Sequence, residues 1–257
     1  MRSVPRNPDR LSMLEKSWLV LDAFRPTGGP LRLADVAERC HLPKTTAFRL
    51  LTELTAIGAV ARRQDGYYLG RRLFELGCIV PLERDLRHAA LPFMHDLYEA
   101  THETVHLGVR DGLDVVYVEK IRGQEAFALP SRVGGRLPLT CTGIGKALLA
   151  YAGPDLIEEV LGRPLRRLTP HSIVDPRRLE EAIGQIQAAG LAYEREEAQI
   201  GGACIAAPVF HEGAAVAALS VSVPLPRFHP TRLAPAVKAA ALGISRALSR
   251  PFPAGPV

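Results

Sequence analysis

Thr45, Arg49 and Thr52 are spaced four and three residues apart, so on a helix turning 100° per residue they project from one face. Hydroxyls and a guanidinium on one face suit the donor and acceptor edges of bases in a duplex groove. Lys44 and Thr46 in the same segment, and Arg62 and Arg63 just before an Asp65-Gly66 dipeptide, are placed to hold phosphates. Other residues invite a catalytic reading that their surroundings do not support. Cys204, Ser220 and Ser222 carry nucleophilic atoms, but no G-x-S-x-G elbow surrounds either serine and no base lies beside them in sequence. Gly143-Ile144-Gly145-Lys146 resembles the end of a phosphate loop, yet Thr140 stands where its first glycine is needed and Ala147 where Ser or Thr is. His88, His95 and His102 recur every seven residues with His106 after them, and read as histidines of a helix surface rather than as metal ligands. The chain is therefore read as no enzyme, with no metal and no cofactor.

The elements that must position the first set are legible. Leu33, Val36, Ala37 and Cys40 form one apolar stripe at helical spacing. Pro43 suits the first position of a second helix, whose buried face is Ala47, Leu50, Leu51, Leu54 and Ile57. Residues 59–63 and 67–69 flank Asp65-Gly66, a dipeptide fitted to a tight hairpin turn. Helix, turn, helix and hairpin, in that order, make a winged helix-turn-helix. Charge agrees with it. The first 80 residues hold 13 Lys+Arg against 8 Asp+Glu, and the remaining 19 of each sign cancel. The whole excess of +5 lies with the reader, as a polyanionic partner demands. Duplex DNA is the expected partner.

A chain of 257 residues, 47% hydrophobic and 23% charged, has an ordinary globular composition. No apolar run reaches the roughly 18–20 residues that span a bilayer, and MRSVPRNPDR lacks the apolar core of a signal peptide, so no membrane and a cytoplasmic setting are expected. The four cysteines are far apart and read as reduced thiols. Residues 1–10 read as a disordered tail, 11–70 as the DNA reader with an amphipathic helix over 11–24, and 71–82 as a linker helix on which Leu73, Phe74, Leu76 and Gly77 can pack. Residues 83–257 form the second domain. A helix over 83–102 carries Leu86, Ala90, Phe93, Leu97 and Ala100 along one side, with a bend or restart at Pro92. A hairpin spans 104–121. Helices follow over 141–152, 154–161 and 176–189, then apolar strands over 204–210 and 215–223, and a closing helix over 230–249. Strands flanked by helices indicate an α+β fold around an antiparallel sheet.

Five ordered segments give the chain a resemblance to the IclR family of bacterial transcription regulators. They are LPKTTAFRLLTEL with GAVARRQDGYYLGRRLFELG, ETVHLGVRDGLDVVYVEKIRG, RVGGRLPLTCTGIGKALLA, LTPHSIVDPRRLEEAI, and CIAAPVF with AALSVSVP. The resemblance implies a GAF-like effector-binding second domain, with a pocket lined by Leu129, Leu137, Gly143, Ile144, Glu194, Cys204, Ser220 and Ser222. Free backbone N–H groups at Gly143 and Gly145 could receive a carboxylate there, and Ser220 and Ser222 share a strand face. Three features depart from the family pattern. Gly202-Ala203 precedes Cys204 where many members carry a basic residue. Arg32 precedes the first reader helix where Ser or Thr is usual, a change that removes about 1 kcal/mol unless neighbours compensate. Phe48 replaces a commonly polar residue, placed either to touch a thymine methyl or to pack.

Three function classes fit in principle: a ligand-responsive transcription factor, an enzyme with an accessory DNA module, and a constitutive architectural protein. The first is favoured. It implies a small organic acid as effector, a homodimer or dimer of dimers, and a near-palindromic operator.

Overall fold

The structure is a computed structural model describing residues 11–26, 29–124 and 129–249, with backbone alone at 81–84. The expected disordered tail at 1–10 lies outside these residues. The chain divides into two compact units between Pro81 and Leu82.

The first unit runs α1 (Met13–Asp22), α2 (Leu33–Cys40), α3 (Lys44–Ala56), β1 (Val60–Arg63), β2 (Gly66–Leu69) and α4 (Arg71–Cys78). A capping box opens α1: Ser12 Oγ accepts from Glu15 N–H at 3.3 Å, and the Glu15 carboxylate accepts from Ser12 N–H at 2.9 Å. At α2 the missing Ser or Thr cap is offset in part, because Asp35 accepts the Arg32 N–H at 2.8 Å. Pro43 caps α3 with extended ψ rather than occupying its first turn. Val20, Phe24, Val36, Ala37, Cys40, Ala47, Leu50, Leu51 and Leu54 make one core. Ile57 does not join it. As the residue capping α3 it leaves the helical phase and is 56% exposed.

The hairpin differs from its expected geometry. Arg63 pairs with Gly66, so Gln64 and Asp65 form the turn and Gly66 opens β2. Glycine is required there for close approach: φ is 150°, and a Cβ would sit 2.8 Å from the Leu31 carbonyl oxygen. Leu31 and Tyr67 exchange both backbone hydrogen bonds, adding a third short edge to the wing. On α4 only Leu73 packs against this core, whereas Phe74 and Leu76 are exposed.

The second unit begins with α5 (Pro81–Thr101), which runs through Pro92 without a restart. Its inward residues are Leu86, Ala90, Met94 and Leu97, while Ala100 is exposed. Then follow β3 (Thr104–Asp111), β4 (Asp114–Ile121), β5 (Arg136–Pro138), α6 (Gly143–Ala150), α7 (Pro154–Leu161), α8 (Pro176–Ala189), β6 (Ala192–Arg195), β7 (Gly202–His211), β8 (Ala214–Pro224) and α9 (Pro230–Leu248). The strands form one antiparallel six-stranded sheet in the order β5-β4-β3-β8-β7-β6. The short edge strands β5 and β6 have too few residues for a readable alternation. Both sheet faces are covered, which makes two cores. Val105, Leu107, Ile205, Leu219 and Val221 pack with α5 and α9, and Tyr117, Ala192, Ala206 and Ala218 with α6 and α8. This is the α+β arrangement expected of a GAF-like domain.

Candidate functional site

On the reader, Lys44, Thr45, Phe48, Arg49, Thr52, Arg62 and Arg63 are exposed and Thr46 is half-buried. Burial of Ala47, Leu50, Leu51 and Leu54 fixes the rotation of α3, and that alone turns Thr45, Arg49 and Thr52 outward. The Thr52 hydroxyl donates to the Phe48 carbonyl at 2.9 Å, so its proton is used within the helix. Phe48 does not pack in the core and stands 49% exposed on the outer side of α3. Arg63 lies over the Tyr68 ring at 4.6 Å and Arg62 over Tyr67 at 5.8 Å, so both guanidinium groups lie along the wing.

In the second unit, Leu129, Leu137, Gly143, Ile144, Glu194, Cys204, Ser220 and Ser222 all line one cavity of about 350 Å³, open mouth included. Sheet register explains how residues so distant in sequence meet. Glu194 on β6 pairs with Cys204 on β7, which pairs with Ser222 on β8. One row along, Ala206 pairs with Ser220, and Ser220 with His106 on β3. Two-residue alternation points both rows toward α6. The cavity is also lined by Tyr117, Pro130, Ser131, Thr142 and Ala198, which the residue patterns did not single out, and by His106, which they grouped with helix-surface histidines and which is buried on β3. Alternation along 105–109 would have set His106 opposite Val105 and Leu107. Ser131 gave no local signal, since a loop brings it in.

The first turn of α6 forms one wall. Thr142 caps it, its Oγ1 accepting from Gly145 N–H at 3.0 Å. The Gly145 amide is therefore engaged, contrary to the expectation that it is free for a carboxylate. The Gly143 N–H is turned toward the Cys204 sulfur. A Cβ at Gly143 would lie 2.5 Å from that sulfur, so only glycine lets α6 approach β7 this closely. Burial raises the Cys204 thiol well above its ordinary range and keeps it protonated, a poor nucleophile.

Glu194 and His106 also face the cavity with shifted titration. Burial pushes Glu194 up to about 7, against the lowering effect of the Ala198 N–H. Its Oε1 accepts from the N–H groups of Glu197 at 2.5 Å and Ala198 at 3.0 Å. Burial, aided by the Lys120 charge, pushes His106 down to about 3, so the ring is neutral over the working range of pH. His106 Nε2 lies 2.8 Å from Ser131 Oγ, and its Nδ1 lies 3.4 Å from Ser222 Oγ. Behind this wall the buried Lys146 and Glu197 form an ion pair that ties α6 to the turn after β6. Ser172 holds the same turn by donating to the Glu197 carbonyl at 2.8 Å. His88, His95 and His102 are exposed, and no metal-binding group of His, Cys, Asp and Glu occurs among the described residues. No helix among the described residues is long and apolar enough to cross a membrane.

Comparison with known proteins gives this geometry its context. The family description "Bacterial transcriptional regulator IclR C-terminal" matches residues 81–246, and "IclR helix-turn-helix domain" matches 13–64. The regulator XynR of Escherichia coli K12 is 34% identical over 248 residues, covering 94% of this chain and 98% of its own. The regulator KdgR of the same organism is 34% identical over 232 residues, covering 89% and 88%. Among solved structures, an IclR homolog of Microbacterium hydrocarbonoxydans complexed with 4-hydroxybenzoate superposes with a TM-score of 0.86 at 33% identity, covering 92% of this chain and 99% of that one. The Thermotoga maritima IclR gives 0.75 at 31% identity, covering 92% and 98%. These relatives are named as regulators and not as enzymes, and with both units matched the chain belongs to the IclR family of bacterial transcriptional regulators.

Proposed function

We propose that this regulator governs a catabolic operon and that its affinity for the operator responds to a small organic acid bearing a carboxylate and a hydroxyl. The observation that carries this reading is the buried polar row on an otherwise apolar wall, with Glu194 and Ser222 two strands apart across the cavity. The Microbacterium homolog supports the reading, since its bound 4-hydroxybenzoate carries both groups. In the reader, Thr45 and Arg49 face base edges, Thr52 flanks them, and Lys44, Thr46, Arg62 and Arg63 hold phosphates. A regulator of chromosomal genes works in the cytoplasm. Its functional unit is a homodimer, or a dimer of dimers, joined through α1 and α4. The exposure of Leu14, Trp18 and Phe74 on those helices supports that pairing.

Calorimetry with benzoate, 4-hydroxybenzoate, phenol and short hydroxy acids tests the cavity, on wild type and on Ser220→Ala, Ser222→Ala and Ile144→Trp. Loss of binding in Ile144→Trp with weakening in the serine variants is expected. A ligand indifferent to all three substitutions binds elsewhere. Operator titrations with and without the ligand then measure coupling, expected at about 5- to 150-fold.

A further inference from the structure

A charged side chain outside the cavity is wired to a hydroxyl inside it. Lys120 on β4 donates to the Ser131 carbonyl at 2.7 Å and to Ser131 Oγ at 3.1 Å. Ser131 Oγ lies 2.8 Å from His106 Nε2, and His106 Nδ1 lies 3.4 Å from Ser222 Oγ. Ser131, His106 and Ser222 line the cavity, and Lys120 does not. His106 and Lys120 are also paired across β3 and β4, which places the ammonium beside the ring.

We propose that Lys120 sets the direction of this chain, holding the His106 proton on Nδ1 and leaving the Ser222 hydroxyl proton for an anionic acceptor, so that it selects ligands carrying a carboxylate. The proposal rests on reading the cavity as the effector site. An ammonium only donates, a hydroxyl does both, and a neutral imidazole has one donor and one acceptor. Ser131 Oγ must accept from Lys120. That bond strengthens the hydroxyl's own proton as a donor and weakens its remaining lone pair as an acceptor. The proton is therefore given to Nε2. The ring dipole acts the same way, since the bare nitrogen is its negative end and faces the ammonium, whereas the opposite tautomer turns an N–H toward it. His106 is buried and neutral, so with Nε2 accepting, Nδ1 carries the proton and donates to Ser222 Oγ. The Ser222 proton then remains for the cavity. At the far end Glu194 has one oxygen taken by two backbone N–H groups and the other available to a hydroxyl. A ligand with both groups is thereby oriented, carboxylate toward Ser222 and hydroxyl toward Glu194.

The full chain labelled with 15N-histidine reports the tautomer in long-range 1H–15N spectra without any ligand, with His106 assigned by His106→Gln. Wild type and Lys120→Arg should show the proton on Nδ1, and Lys120→Met and Ser131→Ala should shift it toward Nε2. Calorimetry with 4-hydroxybenzoate and 4-hydroxybenzyl alcohol then reads selection. Wild type should prefer the acid by about tenfold or more, and the preference should fall to about twofold in both variants with the alcohol bound as before. Operator binding and thermal melting report whether each variant is folded, and Ser131→Ala carries the test alone should Lys120→Met unfold. Wild-type His106 with its proton on Nε2, or an unchanged tautomer in both variants, overturns the relay. A shifted tautomer with an unchanged acid preference overturns its role in selection. Failure of both probes to bind wild type counts against the effector reading and against selection, while the tautomer still decides the relay.

Discussion

Arg49 is held lightly. Its Nη2 is 3.3 Å from Met13 Sδ and its Nε is 3.9 Å from Glu53, both at the exposed surface, so redirecting it to a base releases little stabilisation. Arg49→Ala should weaken operator binding by about 1–3 kcal/mol and relax preference at one base position. Arg63→Ala should weaken all sequences alike and flatten the salt slope; binding assays across operator variants and salt concentrations separate the two. Glu194 supports a prediction in pH. Its folded value of about 7 lies above the ordinary 4.5, so between these limits the folded state binds more protons than the unfolded one. Its contribution to stability is full below about 4.5 and is lost as pH rises through about 7. Glu194→Gln keeps an oxygen for the two backbone N–H groups and cannot ionise. Its unfolding free energy, measured by chemical denaturation, should therefore gain on wild type from pH 5 to pH 8 by an amount on the order of 2–3 kcal/mol. A constant difference across that range would show that Glu194 does not titrate there.

At the scale of elements, α6 is the part that closes the cavity, and two features hold it. Gly143 lets its first turn touch β7, and the Lys146–Glu197 pair anchors its next turn to the segment after β6. Gly143→Ala should destabilise the second unit by about 1–3 kcal/mol and weaken ligand binding, because the new methyl meets the Cys204 sulfur. Cys204→Ala removes that sulfur, so the double substitution should recover much of the loss. A double-mutant cycle by thermal and chemical unfolding checks this, and simple additivity would mean that the sulfur is not the obstacle. The reader has the opposite economy. Its recognition helix is fixed from behind by four buried side chains, and its outer face can change without disturbing the core.

For the whole molecule the central quantity is the coupling free energy between operator and effector. Coupling is reciprocal: an effector that weakens operator binding tenfold must itself bind tenfold more weakly to the DNA-bound protein. Calorimetry of the ligand against free and operator-bound protein checks this directly, and a mismatch would point to a change in assembly state. Two-fold pairing through α1 and α4 also predicts a dimer by light scattering at micromolar concentration and half-sites about one helical turn, or a multiple of it, apart. Leu14→Glu with Phe74→Glu should give monomers that bind the operator weakly. Tight operator binding by a strictly monomeric wild type would remove the pairing.

The sequence by itself determined the reader, because its signals are local. The 3.6-residue stripe of α3 fixes which way Thr45 and Arg49 face, and the charge excess lies in the same stretch. It also determined the central strands, whose alternation needs only consecutive residues, and the resemblance named eight residues that one cavity brings together. It misplaced Ile57, the hairpin turn and Ala100, because helix ends, strand register and helix rotation are set by neighbours distant along the chain. It gave no sign of Ser131 or of the Lys120 connection. Those depend on Ser131 being brought against Lys120 and His106 from outside the strands, and on β3 pairing with both β4 and β8. Cross-strand register places His106 between Lys120 and Ser220, with Ser222 beside it, and only the assembled sheet makes them neighbours.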